Sequence, residues 1–406
     1  MIGKQSAGLL ATAAAVSASV IELPVHIQNT YSSVQFNVGT PAKPYRLLFD
    51  TGSSTAWMVN SDCTESSCPN LSGYDRVGYN ISASTSAVDL GASASIPYID
   101  GDGVTGDAVQ DVFSDERGTV EWNQTFLSVN ASSWRFITAD GFLGLGFSSI
   151  AENGTSSLVE TLLWDGQLDA PRFGLYYGTN LADNGTQDGV LTVGGSHEET
   201  YVDEEGVVFA PLRKEDPYQL WRAPLRSVTV MATGTNATIN VRNDGKLPTT
   251  SAGGLISNAV GANTTWSMYG SGTAVFDTGA GRISVPTNIV DAVYFNLGWN
   301  NTKLMTGEER MECQHLNASW ALSFTLGEEA EEDDVTFTIR GDEFVRPGDQ
   351  CMPPVDDSDG NGFALIGAAF LRRFYSIHDF GADKVADYQP KIGFGRLKKE
   401  YDYLYQ

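Results

Sequence analysis

The tripeptide Asp-Thr-Gly occurs twice in this chain, and each copy closes an apolar run. The first copy reads Leu47-Leu48-Phe49-Asp50-Thr51-Gly52-Ser53-Ser54, and the second reads Ala274-Val275-Phe276-Asp277-Thr278-Gly279-Ala280-Gly281. An apolar strand that runs into Asp-Thr-Gly sets a carboxylate on a tight turn at the end of a buried strand, where glycine permits the reversal. Two such carboxylates, one in each half of the chain, are what an acid/base pair sharing one proton requires. Either copy alone would constrain little; together they ask the two halves to bring their turns to one place.

The same copies anchor an internal repeat. Phe142-Leu143-Gly144 ends 94 residues after Asp50, and Leu365-Ile366-Gly367 ends 90 residues after Asp277. So long a period predicts two related lobes rather than a solenoid, and 406 residues are enough for both. Short strands broken by Gly, Asn, Asp and Pro fill the intervals: Val34–Val38, Tyr45–Phe49, Trp57–Val59, Val190–Val193, Val207–Phe209, Val228–Val230 and Val335–Ile339. Helical spacing is confined to Ser157–Trp164, Asn288–Leu297 and Ala368–Phe374. The expected class is all-β with a few short helices. The expected division is an N-terminal lobe over 22–200 and a C-terminal lobe over 201–406, joined near Gly194–Glu205. The acidic stretches Glu328–Asp334 and Asp356–Asp359 read as solvated loops.

Charge narrows the partners. Fifty acidic against 25 basic residues give a net charge of −25, a surface that repels nucleic acid. At about pH 3 to 4 most of those carboxylates are protonated and the self-repulsion fades, which suits an acidic medium as well as plain solubility. Cys63 and Cys68 lie five apart, and Cys313 and Cys351 fall in the second half, so the four fit two disulfides and an oxidising compartment. The second pair is too spread for a four-cysteine zinc site, and His26, His197, His315 and His378 show no ligand spacing, so neither metal nor cofactor is expected. Ten Asn-x-Ser/Thr sequons, at Asn70, Asn80, Asn123, Asn130, Asn153, Asn184, Asn236, Asn263, Asn300 and Asn317, favour passage through a secretory pathway. Residues 1–21, with Lys4 ahead of the Ala-rich stretch Ala7–Val20, read as a signal peptide cleaved near Val16-Ser17-Ala18 or as an N-terminal extension. No run of about 18 strongly apolar residues predicts a membrane span.

In order along the chain, these residues resemble the pepsin-like aspartic proteases from roughly Glu22 to Leu397. Phe49-Asp50-Thr51-Gly52-Ser53-Ser54 with Trp57 is similar to the family's first signature, and Cys63 and Cys68 to its small disulfide loop. Tyr98-Ile99-Asp100-Gly101-Asp102-Gly103 resembles the flap hairpin of fungal members. Asp140-Gly141-Phe142-Leu143-Gly144-Leu145-Gly146 and Ala364-Leu365-Ile366-Gly367 resemble the segments that follow each signature, and Cys313 and Cys351 fall where a C-lobe disulfide is usual.

The resemblance implies a bilobal fold with a cleft between two pseudo-symmetric β lobes. It implies an endopeptidase whose Asp50 and Asp277 activate one water, and which works without a cofactor. Thr51 and Thr278 would tie the turns together, while Gly52 and Gly279 would let a substrate backbone pass close to the dyad. Tyr98, bonded to the Trp57 indole, would close over the site with Asp100 beside it. Leu48, Phe142 and Val275 would favour apolar side chains around the cut. Peptide or protein substrates, N-linked glycans, a monomer and a secreted or acidic-vacuolar location follow from the same likeness.

Two features depart from the family. Ala280-Gly281 stands where a Thr or Ser usually supports the second aspartate; Asp50 keeps Ser53, so Asp277 should bind a proton more tightly. Secreted members also usually carry a basic propeptide of several dozen residues, whereas about 20 residues precede Glu22 here, Lys4 alone being basic. The chain therefore reads either as made without a pro-segment or as a partial sequence. A catalytically silent pepsin-fold protein that binds or inhibits another protein is the alternative, although such relatives usually lose one aspartate or alter a triplet.

Overall fold

The apolar runs ahead of Asp-Thr-Gly become the strands Lys43–Asp50 and Thr273–Phe276 in a computed structural model of the chain, which describes residues 19–180, 188–232, 264–268, 271–328, 330–345 and 351–406. Residues 1–18 of the expected leader and the sequons at Asn184, Asn236 and Asn263 lie outside the described residues, whereas Ser19 bonds to the Gln167 carbonyl at 2.9 Å and Ile21 opens a strand.

Both strands enter the same local topology. Lys43–Asp50 pairs in parallel with Gly141–Gly144, which pairs antiparallel with Trp57–Val59, the strand leaving the turn. Thr273–Phe276 pairs in parallel with Phe363–Ile366, which pairs antiparallel with Ile283–Val285. The repeated apolar-apolar-Gly segment is thus the strand inserted between the two arms of each turn. Its glycine is needed where the arms cross. A Cβ on Gly144 would come within 2.2 Å of the Ser54 carbonyl carbon, and one on Gly367 within 2.1 Å of the Arg282 carbonyl oxygen.

Among the described residues the strands form one sheet of 13 and one of eight. The larger sheet does not stop at the first half of the chain. Beside Ile21–Gln28, Arg172–Tyr176 and Gly189–Val193 it takes in Val202–Pro211, Phe374–Asp379 and Lys391–Leu397 from the second half. The two halves therefore share a sheet behind the turns. Helices are few and short, as expected, with Leu158–Trp164 and Thr287–Asn296 the longest. The helix expected over Ala368–Phe374 ends at Leu371, and Phe374–Asp379 is a strand buried along its whole length. Ala368, Leu371 and Phe374 recur at helical spacing, which hid the change of element.

The cysteines form two disulfides, Cys63–Cys68 and Cys313–Cys351. One buried histidine belongs to the shared sheet. His378 has no exposed surface, stacks on Phe173 at 4.4 Å and meets the edge of Trp221 at 4.9 Å. Neither ring nitrogen has a hydrogen-bond partner among the described residues, and burial lowers the imidazole pKa to about 3.

Candidate active site

The two turns face each other and interlock through their threonines. Thr51 N–H donates to Thr278 Oγ1 at 3.0 Å, and Thr278 N–H donates to Thr51 Oγ1 at 2.9 Å. Each hydroxyl then crosses to the opposite strand, Thr51 Oγ1 to the Phe276 carbonyl at 2.7 Å and Thr278 Oγ1 to the Phe49 carbonyl at 2.9 Å. Both threonines are buried, so these bonds hold the turns in register away from water.

This grip brings Asp50 and Asp277 together, with a side-chain hydrogen bond between them. Each carboxylate lies against the other turn's glycine. A Cβ on Gly52 would sit 2.5 Å from Asp277 Oδ2, and one on Gly279 would sit 2.6 Å from Asp50 Oδ1. The sequence suggested that these glycines make room for substrate; in the structure the nearer demand is room for the opposite carboxylate.

The supports of the two acids differ. Asp50 Oδ1 accepts the Gly52 N–H at 2.8 Å and its Oδ2 accepts the Ser53 hydroxyl at 2.5 Å. Asp277 Oδ1 accepts the N–H groups of Gly279 at 2.8 Å and Ala280 at 3.2 Å, and no side chain replaces the hydroxyl. Burial, then the charge of Asp50 and the hydrogen bond with it, raise the Asp277 pKa well above the ordinary carboxylate range; the two N–H groups pull it back only in part.

A hairpin arches over the pair. Val88–Pro97 and Gly103–Ser114 run antiparallel, and residues 98–102 form the tip, with Tyr98 N–H bonded to the Asp102 carbonyl at 2.8 Å and Gly101 at φ +90°. The Trp57 indole N–H donates to the Tyr98 hydroxyl at 2.7 Å, and that hydroxyl also bonds to Ser53. Ser53 thus stands between the flap hydroxyl and Asp50, to which its own hydroxyl donates. Trp57 is fully buried and stacks on Phe142 at 5.0 Å, so it serves the core and the flap at once. Ile99 at the tip is 74% exposed and aims no bulk into the core. Asp100 caps the tip, accepting Asp102 N–H at 3.0 Å, and its pKa is raised by burial against the pull of backbone N–H groups.

Between hairpin and dyad lies a cleft of about 1040 Å³. It is lined by Asp50, Gly52, Ser53, Asp277, Thr278 and Gly279, and by the expected apolar residues Leu48, Phe142 and Val275. The sequence missed other lining residues: Tyr31, Trp134, Ile150, Arg222, Arg282, Asp356 and Arg372. Asp356 corrects the reading of Asp356–Asp359 as a solvated loop. It lies in the strand Val355–Asp357, and Val355 is buried with its carbonyl held by the Tyr294 hydroxyl, so alternation turns Asp356 into the cleft beside Arg282. Asp334 is likewise drawn from its acidic loop into an ion pair with Arg226. Alternation in Ile283-Ser284-Val285 was the available signal for Arg282; nothing local marked Trp134. Among the described residues no cluster of His, Cys, Asp and Glu could hold a metal ion, and no helix is long and apolar enough to cross a membrane.

The sequence matches the family described as eukaryotic aspartyl protease over residues 31–243 and 231–387. It is 27% identical to vacuolar protease A of Neurospora crassa over 384 residues, covering 89% of this chain and 80% of that protein. It is 25% identical to gastricsin of Rattus norvegicus (90% of this chain, 83% of that protein) and to a protein named probable vacuolar protease A in Trichophyton verrucosum (86% and 76%). The chain belongs to the eukaryotic aspartyl protease family, the pepsin-like aspartic endopeptidases.

Proposed function

We propose that Asp50 and Asp277 hydrolyse peptide bonds through one shared proton and one water, with Asp277 carrying the proton in the resting enzyme. Two carboxylates sharing a proton are the arrangement for which aspartic proteases are the standard example. Asp50, supported on both oxygens, takes a proton from a water held between the two acids, and Asp277 donates to the scissile carbonyl oxygen to give a gem-diol. The roles then reverse, and the leaving amine is protonated as the C–N bond breaks. Tyr98 closes the site against solvent, and Leu48, Phe142 and Val275 favour hydrophobic side chains next to the cut. The carrying observation is the interlock of Thr51 and Thr278 that sets the Asp50 and Asp277 carboxyls against each other, because two carboxyls so close share one proton.

The same reading takes 22–200 and 201–406 as the lobes, residues 1–21 as a signal peptide or N-terminal extension, and peptides or proteins as substrates of a monomeric, N-glycosylated enzyme. A secreted or vacuolar destination suits the sequons and the net charge of −25, and acid pH suits the shared proton. The intact dyad and its interlock favour catalysis over a silent binding module. Digestion of a denatured protein at about pH 3 to 6, with and without pepstatin, is the test. Pepstatin-sensitive cleavage is expected; its absence across that range removes the reading.

A further inference from the structure

Beyond the dyad, the wall of the cleft on the Asp277 side carries charge that the hydrolysis does not use. Ile283–Val285 leaves the second turn with Ile283 and Val285 buried, so Arg282 and Ser284 face the cleft. The parallel strand Val355–Asp357 sets Asp356 opposite Ser284 on that face. Arg282 Nε donates to Asp356 Oδ2 at 2.8 Å, and Nη2 donates to the Pro353 carbonyl. A guanidinium has five N–H donors, more than these two acceptors use, and its fork matches a carboxylate. The two side chains keep 32% and 33% of their surface exposed, and ion pairs so exposed contribute little to stability. Holding the fold together therefore does not explain why the pair stands in the cleft.

The other arginines of the cleft are committed elsewhere. Arg222 is held by Glu215 at 2.9 Å, and Arg372 is 4% exposed and donates to the Thr30 carbonyl at 2.9 Å. Asp100 and Glu152 come from the first half of the chain, whereas all three lining arginines come from the second. Beside Asp277, Arg282 is thus the lining guanidinium whose partner, Asp356, itself faces the cleft. Burial pushes the Asp356 carboxyl above its ordinary range against the pull of Arg282. The other titratable groups near the pair leave this unchanged: the Tyr294 phenol is held neutral by burial, and Asp357 accepts the Thr287 hydroxyl instead. On acidification Asp356 loses its charge while the guanidinium keeps its own.

We propose that Arg282 is a specificity-determining residue of this endopeptidase, selecting peptides that carry a side-chain carboxylate within a few residues of the cut. The proposal rests on the protease reading and adds the substrate class.

The test uses pairs of peptides that differ only by Glu or Gln, scanned through the positions around the cut and assayed at about pH 5, where Glu is largely ionised. At one position the Glu peptide should have a kcat/KM about tenfold higher, chiefly through KM. Arg282→Leu should bring that ratio to within about twofold of one, and Asp356→Asn should enlarge it. Uncleavable reduced-amide copies of each pair, titrated calorimetrically, should show the same ratio in affinity. Equal treatment of Glu and Gln at every position overturns the subsite and leaves the protease reading standing. So does a preference that survives Arg282→Leu. Should that variant fail to fold, an Asp356→Asn ratio that falls is equally fatal. If no peptide is cleaved or bound, the protease reading falls and takes the subsite with it.

Discussion

At the first Asp-Thr-Gly turn the carboxylate takes one support on each oxygen, from Gly52 and Ser53, whereas at the second both supports, from Gly279 and Ala280, fall on one oxygen. The frame of the turns is held in common: the parallel pairing, the crossing glycine, the threonine exchanged with the other half. Backbone symmetry places the two acids, and their surroundings, the Ser53 hydroxyl among them, tell them apart. A fold built from two similar halves can thus vary the support of each acid by a single residue, without disturbing the frame that aligns them.

The most drastic break is to remove either acid. Asp50→Asn and Asp277→Asn should each lower kcat by about a thousandfold or more, measured on a denatured protein substrate. Survival of activity in one of them would dissolve the pair. Next come the glycines. Gly52→Ala presses on Asp277 and Gly279→Ala on Asp50, with contacts of 2.5 and 2.6 Å, so both should cost about a hundredfold in kcat. A loss in only one variant would show that the turns are not equally tight.

Ala280→Thr and Ser53→Ala probe the asymmetry itself. A hydroxyl beside Asp277 stabilises its charged form and lowers its raised pKa, so the alkaline limb of the pH–rate profile should move down by about one unit. Ser53→Ala removes the donor at Asp50 and should narrow the difference between the acids. An unmoved profile in Ala280→Thr would refute the account of Asp277.

The smallest effect on activity, and a large one on stability, belongs to His378 outside both turns. Its folded pKa of about 3 lies below the ordinary value of 6.5, so the unfolded chain binds the extra proton first. Stability from the neutral ring is complete above pH 6.5 and is lost as pH falls towards 3, by about 1.4 kcal/mol per pH unit. Urea midpoints from pH 7 to pH 4 should therefore fall less steeply in His378→Leu than in the parent; equal slopes would show that the ring finds a partner when charged.

Where the chain's own pattern reported local chemistry, it read well. Strands at Trp57–Val59 and Val335–Ile339 follow from alternation and the paired carboxylates from the two triplets, whereas the tie between the threonines and the Tyr98 flap were implied by the likeness to the family. The rest depended on distant partners. The shared sheet joins Ile21–Gln28 to strands near the other end of the chain, a pairing invisible in either segment. Asp356 looked like one of a run of solvated acids because nothing beside it names Arg282, 74 residues earlier. Gly52 has a reason that lies across the cleft, on a residue of the other half.

The exchange between Thr51 and Thr278 also makes activity a property of the seam rather than of either lobe. Neither half holds a partial site that the other improves. Each holds a carboxyl group that is idle until the seam shuts. A small slip there would disarm the enzyme while both sheets stayed intact, so turnover works as a gauge of docking finer than any measure of secondary structure.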